Sequence, residues 1–147
     1  MTQYKEKISF CIGLNGTFWE KLPKFSIRLD GQEMVSGYAK QDTELYRFTC
    51  ELDEDQEHLL EIRLENKEAG DTITNEVTSE IVQDMLLNIE SIEIDDIELK
   101  YLKWSHSEFV ADNPENSTIE GCLNLGWNGS YRLKFTSPFY LWFLKNT

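Results

Sequence analysis

Hydrophobic and polar residues alternate along much of this chain. Ile8, Phe10, Ile12 and Leu14 are separated by polar or small residues, and so are Phe25, Ile27 and Leu29. Tyr46, Phe48, Cys50 and Leu52 make a third run of this kind; His58, Leu60, Ile62 and Leu64 make a fourth. A period of two belongs to a strand with one face on a core and the other in water. Met85 to Ile94 is different. It begins apolar on both sides, as a central strand does, and its alternation changes phase between Ile89 and Ile92. That phase change predicts a β-bulge near Glu90 and Ser91.

Turn residues punctuate these runs. Asp30-Gly31 predicts a tight turn leading into Met34 to Ala39. Asp95-Asp96 predicts a two-residue turn that sets Ile94 opposite Ile97 and Ile92 opposite Leu99. A five-residue loop, Asp53 to Glu57, would join the third and fourth runs as a hairpin, with Cys50 opposite Leu60 and Phe48 opposite Ile62. Around Trp127-Asn128-Gly129 the hydrophobic match selects a three-residue loop with Gly129 in the left-handed region. Leu125 then faces Tyr131, Leu123 faces Leu133, and Trp127 stands at an exposed tip.

No segment reads as a helix longer than one or two turns; Thr78 to Gln83 is the short candidate. Phe109 to Thr118, with Asp112, Asn113, Pro114 and Asn116, reads as a loop. Phe139-Tyr140-Leu141-Trp142-Phe143-Leu144 is too apolar for a free end. It is either an inner strand or a surface that docks on a neighbouring subunit, with Phe139, Tyr140, Trp142 and Phe143 as the contacts. Short strands, regular turns and little helix together predict an all-β fold: an antiparallel β-sandwich forming one domain over residues 1–147. A closed β-barrel is the runner-up.

Composition narrows the function. At 147 residues, with 40% hydrophobic and 12% aromatic content, the chain can bury a real core. A formal charge of −13 repels nucleic-acid phosphates and anionic lipid, so neither nucleic acid nor membrane is an expected partner, whereas cations are favoured. Cys11, Cys50 and Cys122 are widely spaced and lack the pattern of a zinc site; Cys50, within an alternating run, reads as a reduced core thiol. With no signal peptide and no apolar run of spanning length, the expected location is the cytoplasm. The sequons at Asn15, Asn116 and Asn128 then read as incidental.

Candidate chemistry gathers between the fourth run and the central strand. Asn66, Asp71, Glu76, Asp84 and Asn88 are oxygen donors near strand ends, and calcium accepts six to eight such oxygens from irregular loops. The plain alternative is a solvated acidic loop, which a chain of this charge forms without metal. Of Trp19, Trp104, Trp127 and Trp142, Trp127 is the best exposed platform for a sugar or a protein neighbour, with Tyr131 beside it. Trp104 reads as core, and Trp142 as core or interface. Catalysis finds little footing. His58 lies in an apolar run, and Ser105-His106 are adjacent residues that a strand would point to opposite faces. No Gly-x-Ser-x-Gly elbow or phosphate-binding loop is present.

Two resemblances add to this reading. KFSIRLDGQ, EHLLEIRLEN, the acidic loop and QDMLLNIESIEIDD, about Phe25 to Leu99, resemble the calcium-dependent xylan-binding modules, small jelly-roll sandwiches appended to glycoside hydrolases. The family pattern runs strand, Asn-Asp, loop, Asp-x-x-x-Asp, apolar strand, Asn-Gly. Asn66 stands at its first ligand position, with Lys67 where an Asp falls. Asp84 matches the first Asp of the second motif, Asn88 replaces the second, and Asp95-Asp96 stands for Asn-Gly. The resemblance implies the sandwich fold, a calcium site at these positions and a polysaccharide ligand. The last third, GCLNLGWNGSYRLKFTSPFYLWFL, resembles small tailed-phage virion proteins, which implies a capsid decoration, neck, tail or fibre component. The reading that follows is a non-catalytic accessory module, first of a phage particle, in contact with other virion proteins or copies of itself. The alternative is a carbohydrate-binding module for host-surface or plant-type polysaccharide. No cofactor is required, and calcium is admitted.

Overall fold

Alternating runs become strands of two facing antiparallel sheets in the computed structural model, which describes residues 4–147. The first half holds β1 (Lys5–Thr17), β2 (Lys24–Leu29), β3 (Gln32–Tyr38), β4 (Glu44–Asp53) and β5 (Glu57–Leu64). A 3-10 turn (Ala69–Asp71) and a small hairpin of β6 (Ile73–Thr74) with β7 (Ile81–Gln83) follow. Next come β8 (Leu86–Ile94), β9 (Ile97–Glu98), the one-turn helix α1 (Leu102–Ser105) and β10 (Ser107–Ala111). The chain finishes with β11 (Ile119–Glu120), β12 (Asn124–Leu125), β13 (Gly129–Thr136) and α2 (Phe139–Asn146).

One sheet runs β12–β8–β1–β4, with β9 also paired to β8; the other runs β11–β10–β13–β5–β2–β3. Neither closes into a barrel, so the architecture is the β-sandwich that the alternation predicts. Strand β1 is central to the first sheet and turns Ile8, Phe10, Ile12 and Leu14 into the core. Phe25, Ile27, Leu60, Ile62, Leu64, Leu133 and Phe135 meet them from the second sheet. Fully burying a side chain of this size is worth about 1.5–3 kcal/mol, so this layer carries most of the stability. Cys50 borders it; burial pushes its thiol up to about 11, which leaves it protonated and unreactive at neutral pH.

Local signals hold where they depend on local geometry. Gly13 pairs with Ser91 and Leu14 with Ile89, which leaves Glu90 as the extra residue of a bulge at the predicted place. Asp30 and Gly31 have φ of 51° and 83°, Asp95 and Asp96 of 51° and 63°, as two-residue hairpin turns that follow the strand twist require.

Strand partnership is another matter. The expected hairpin of the third and fourth runs does not form: β4 pairs with β1, whereas β5 pairs with β13 and β2 in the opposite sheet. Both strands face the core, so two strands opposed across the sandwich satisfy the same hydrophobic match as two strands side by side. The expected Leu125–Tyr131 register fails for the same reason. Strand β12 joins β8 and β13 joins β10 and β5. Gly129 is not left-handed. A Cβ there would lie 2.4 Å from the Val110 carbonyl oxygen and 2.7 Å from Ala111 Cα, so glycine is needed for close approach of β13 to β10.

Three further expectations are corrected. The apolar tail is a helix, not a strand. Phe139, Trp142 and Phe143, spaced three and four apart, turn toward the core, while Tyr140, Leu141 and Leu144 stay exposed. Thr78 to Gln83 forms no helix, because Ile81 to Gln83 pair with β6. Phe109 to Ala111 end a strand, so the loop begins at Asp112. Gly129→Ala is predicted to lower stability by about 2–3 kcal/mol through backbone overpacking, read from the urea midpoint.

Candidate binding groove

Strand β5 leaves its ladder at Leu64, and two asparagine side chains replace the lost neighbour. Asn66 Oδ1 accepts from the Lys24 N–H (2.8 Å) and its Nδ2 donates to the Leu22 carbonyl (3.0 Å). Asn128 does the same for Lys67: its Oδ1 accepts from the Lys67 N–H (2.8 Å) and its Nδ2 donates to the Lys67 carbonyl (2.9 Å). Each amide acts as a segment of false backbone, which satisfies groups a broken ladder would orphan.

Lys67, held by its backbone, sends its side chain inward, where it is only 11% exposed. Its ammonium donates to Asp84 Oδ1 (2.7 Å) and to the Gly126 carbonyl (2.6 Å). Asp84 Oδ1 also accepts from the Thr72 hydroxyl (2.7 Å) and the Met85 N–H (2.8 Å). Burial pushes the Asp84 carboxyl up, but the ammonium, hydroxyl and amide donors outweigh it and hold the group below the ordinary aspartate value. Asp71 behaves alike. Burial raises it, and the Glu68 N–H (2.7 Å) and Lys21 ammonium (2.9 Å) more than compensate.

The five expected calcium ligands do not converge. Asn66 spends both ends of its amide on backbone. Asn88 is buried in an amide ladder across the outer face of the first sheet, bonded to Asn15, Thr17 and Asn124. Asp71 caps the 3-10 turn, and Glu76 is exposed in the β6–β7 turn. Asp71 and Asp84 do face cations, but these are the ammonium groups of Lys21 and Lys67. Among the described residues no three His, Cys, Asp or Glu side chains are grouped as a metal would need. Calcium requires six to eight oxygens, and the residues present do not fit it.

Beside Lys67 opens a groove of about 700 Å³, within the range of small-ligand sites. Trp127 forms one wall. It is 39% exposed and stacks on buried Phe109 with ring centroids 6.4 Å apart, so the ring is backed rather than free. Ile119, Asn113, Asn116 and Asp112 continue the lining. Arg63 fixes Asp112, its Nη2 reaching both carboxylate oxygens at 3.1 and 2.8 Å while Nη1 donates to Ser130 (2.7 Å). Asp112, Asn113, Asn116 and Ile119 fall in or just after the stretch read simply as a loop; its run of amide and acidic residues was the available signal.

Other contact residues separate. Trp127 is exposed as expected, though on a loop between sheets rather than a hairpin tip. Tyr131, expected beside it, is fully buried, and its hydroxyl donates to the Lys103 carbonyl. Phe139 and Trp142 are spent on the chain's own core and Phe143 is partly buried, so of the expected subunit contacts only Tyr140 is exposed. Trp104, expected in the core, is half exposed. Ser105 ends α1 instead of lying on a strand, and its hydroxyl does reach His106 Nδ1 (2.9 Å), whose Nε2 meets Asn146 (3.1 Å). Ser105 and His106 are both exposed to water.

No protein-family model matches the sequence, and no curated protein is significantly similar to it. Among solved structures, vCBM60 in complex with galactobiose shares the fold, with a TM-score of 0.57 and 10% identity over 85% of this chain and 96% of that one. A selenomethionine form of vCBM60 does so with a TM-score of 0.59 and 10% identity over 86% and 89%. It is described as part of an evolutionary link, by circular permutation, between two families of calcium-dependent carbohydrate-binding modules. The chain thus has the β-sandwich fold of carbohydrate-binding modules; neither match is a virion protein.

The lowered aspartates set a pH dependence. A carboxylate whose folded value is depressed contributes stability above its unfolded value, about 3.9, and loses it as pH falls through the folded value. Asp84→Asn is predicted to lower the urea midpoint at pH 7 and to converge with the wild type in strong acid, in a pH series of denaturation curves.

Proposed function

We propose that this chain is a non-catalytic saccharide-binding module whose groove beside Trp127 takes a neutral sugar. The observation that carries the reading is the half-exposed Trp127 ring, backed by Phe109, on the wall of a groove lined with amides and a clamped carboxylate. A pyranose offers an apolar C–H face to an indole and a rim of hydroxyls to amide and carboxylate partners. The backing matters because a ring already held in place loses little freedom when a ligand covers it. Asp84, Asp112 and Glu68 at the groove, on a chain of charge −13, disfavour acidic glycans. The likeness to vCBM60, solved with galactobiose, supports the same class of ligand.

Affinity electrophoresis and calorimetry against a panel of neutral oligosaccharides and polysaccharides test this. Trp127→Ala is expected to weaken binding about tenfold or more, which corresponds to 1.4 kcal/mol or above, at a temperature where the variant is still fully folded. Retention by acidic polysaccharides alone, or equal binding by the variant, would contradict the reading.

A further inference from the structure

The groove's floor contains a positive charge that belongs to the chain itself. We propose that Lys67, assisted by Lys21, takes the place of a divalent cation at this end of the sandwich, so that the site is assembled without calcium. The proposal concerns how the groove is built and holds whatever ligand the groove accepts.

Three observations lead to it. First, the Lys67 ammonium makes contacts that a metal would make. At 2.7 and 2.6 Å it touches one carboxylate oxygen and one backbone carbonyl oxygen, from Asp84 before β8 and Gly126 between β12 and β13. These oxygens come from segments far apart in sequence, and a cation is what they share. Second, the charge count matches. Lys21 bridges Glu68 and Asp71, each at 2.9 Å, so the two lysines bring two positive charges, as many as a divalent cation, to the three carboxylates they touch. Third, the remaining oxygen donors are committed. Asn66 and Asn88 are fully engaged in hydrogen bonds, and Glu76 lies out in the β6–β7 turn.

An ammonium and calcium differ in what they ask of a site. Calcium needs six to eight oxygens, whereas an ammonium needs at most three acceptors. A lysine in the position of one carboxylate both removes a ligand and fills the space, and a dication brought beside it would meet repulsion instead of compensation. The matched modules are described as calcium-dependent; this chain reaches the same fold with the cation covalently attached.

Scanning calorimetry and calcium titration of the wild-type protein decide the matter. The account expects the same melting temperature in EGTA and in millimolar calcium, with no heat of calcium binding. A melting temperature that rises with calcium, or falls in EGTA, would overturn it. Lys67→Met is expected to melt roughly 5–10 °C lower, because it strands Asp84 without its partner; an unchanged melting temperature would count against the cation role. Lys67→Asp is expected to acquire a calcium-dependent rise in melting temperature that the wild type lacks. Indifference of that variant to calcium would show that the ammonium does not stand at a cation position. The wild-type titration remains decisive if either variant fails to fold.

Discussion

Lys67 ties the two sheets together, one through its backbone and the other through its ammonium. Its own backbone continues β5 of one sheet and is paired by Asn128, next to β13; its side chain reaches Asp84 and Gly126, which flank β8 and β12 of the other. A buried lysine is costly to desolvate and is tolerated only with its acceptors in place. That cost works as a constraint. The loops must sit where the ammonium needs them, and the groove beside Trp127 is the space left between loops so held.

The opposite end of the sandwich is closed by a different polar lock. His58 is buried with Nδ1 on Asp30 (2.6 Å) and Nε2 on the Asp53 carbonyl (2.8 Å), and Asp95 accepts from the Ser9 N–H (2.9 Å). Between the two ends lies a continuous apolar layer that specifies the pairing of the sheets but not the shape of the loops. Core packing therefore explains why the chain is a sandwich, and the polar locks explain why its ends have defined surfaces. A groove shaped by such locks is preorganised, which reduces the ordering cost of binding a small, flexible ligand.

Much of this fold was legible in the sequence. The four alternating runs, the Glu90 bulge and the turns at Asp30-Gly31 and Asp95-Asp96 all depend on neighbours within a few residues. What alternation cannot reveal is the sheet a strand joins, since Cys50 and Leu60 both turn toward the core whether their strands lie side by side or face to face. The tail shows the same limit in another form. Apolar density made it a buried segment, but only the 139–142–143 spacing distinguishes a helix, and it competes with an equally apolar strand pattern. At the site, Lys67 was visible as a departure from an acidic position and Asp84 as a ligand candidate, while the third member is the Gly126 backbone carbonyl, which no side-chain pattern announces. Trp127 and Tyr131 were both placed by a three-residue hairpin that does not form; Trp127 is exposed all the same because it lies in the loop between β12 and β13, whereas Tyr131 turns into the core.

The central claim is that the end of the sandwich carrying Lys67 and Trp127 is the ligand-binding end and works without metal. The most direct measurement is an amide and indole nitrogen–proton correlation spectrum, recorded in EGTA while a neutral disaccharide is titrated in. The account predicts saturable shifts of the Trp127 indole and of the Asn113 and Asn116 side-chain amides, with the turns at Asp30-Gly31 and Asp95-Asp96 unmoved. Shifts confined to that opposite end, or shifts at Trp127 that appear only after calcium is added, would contradict it.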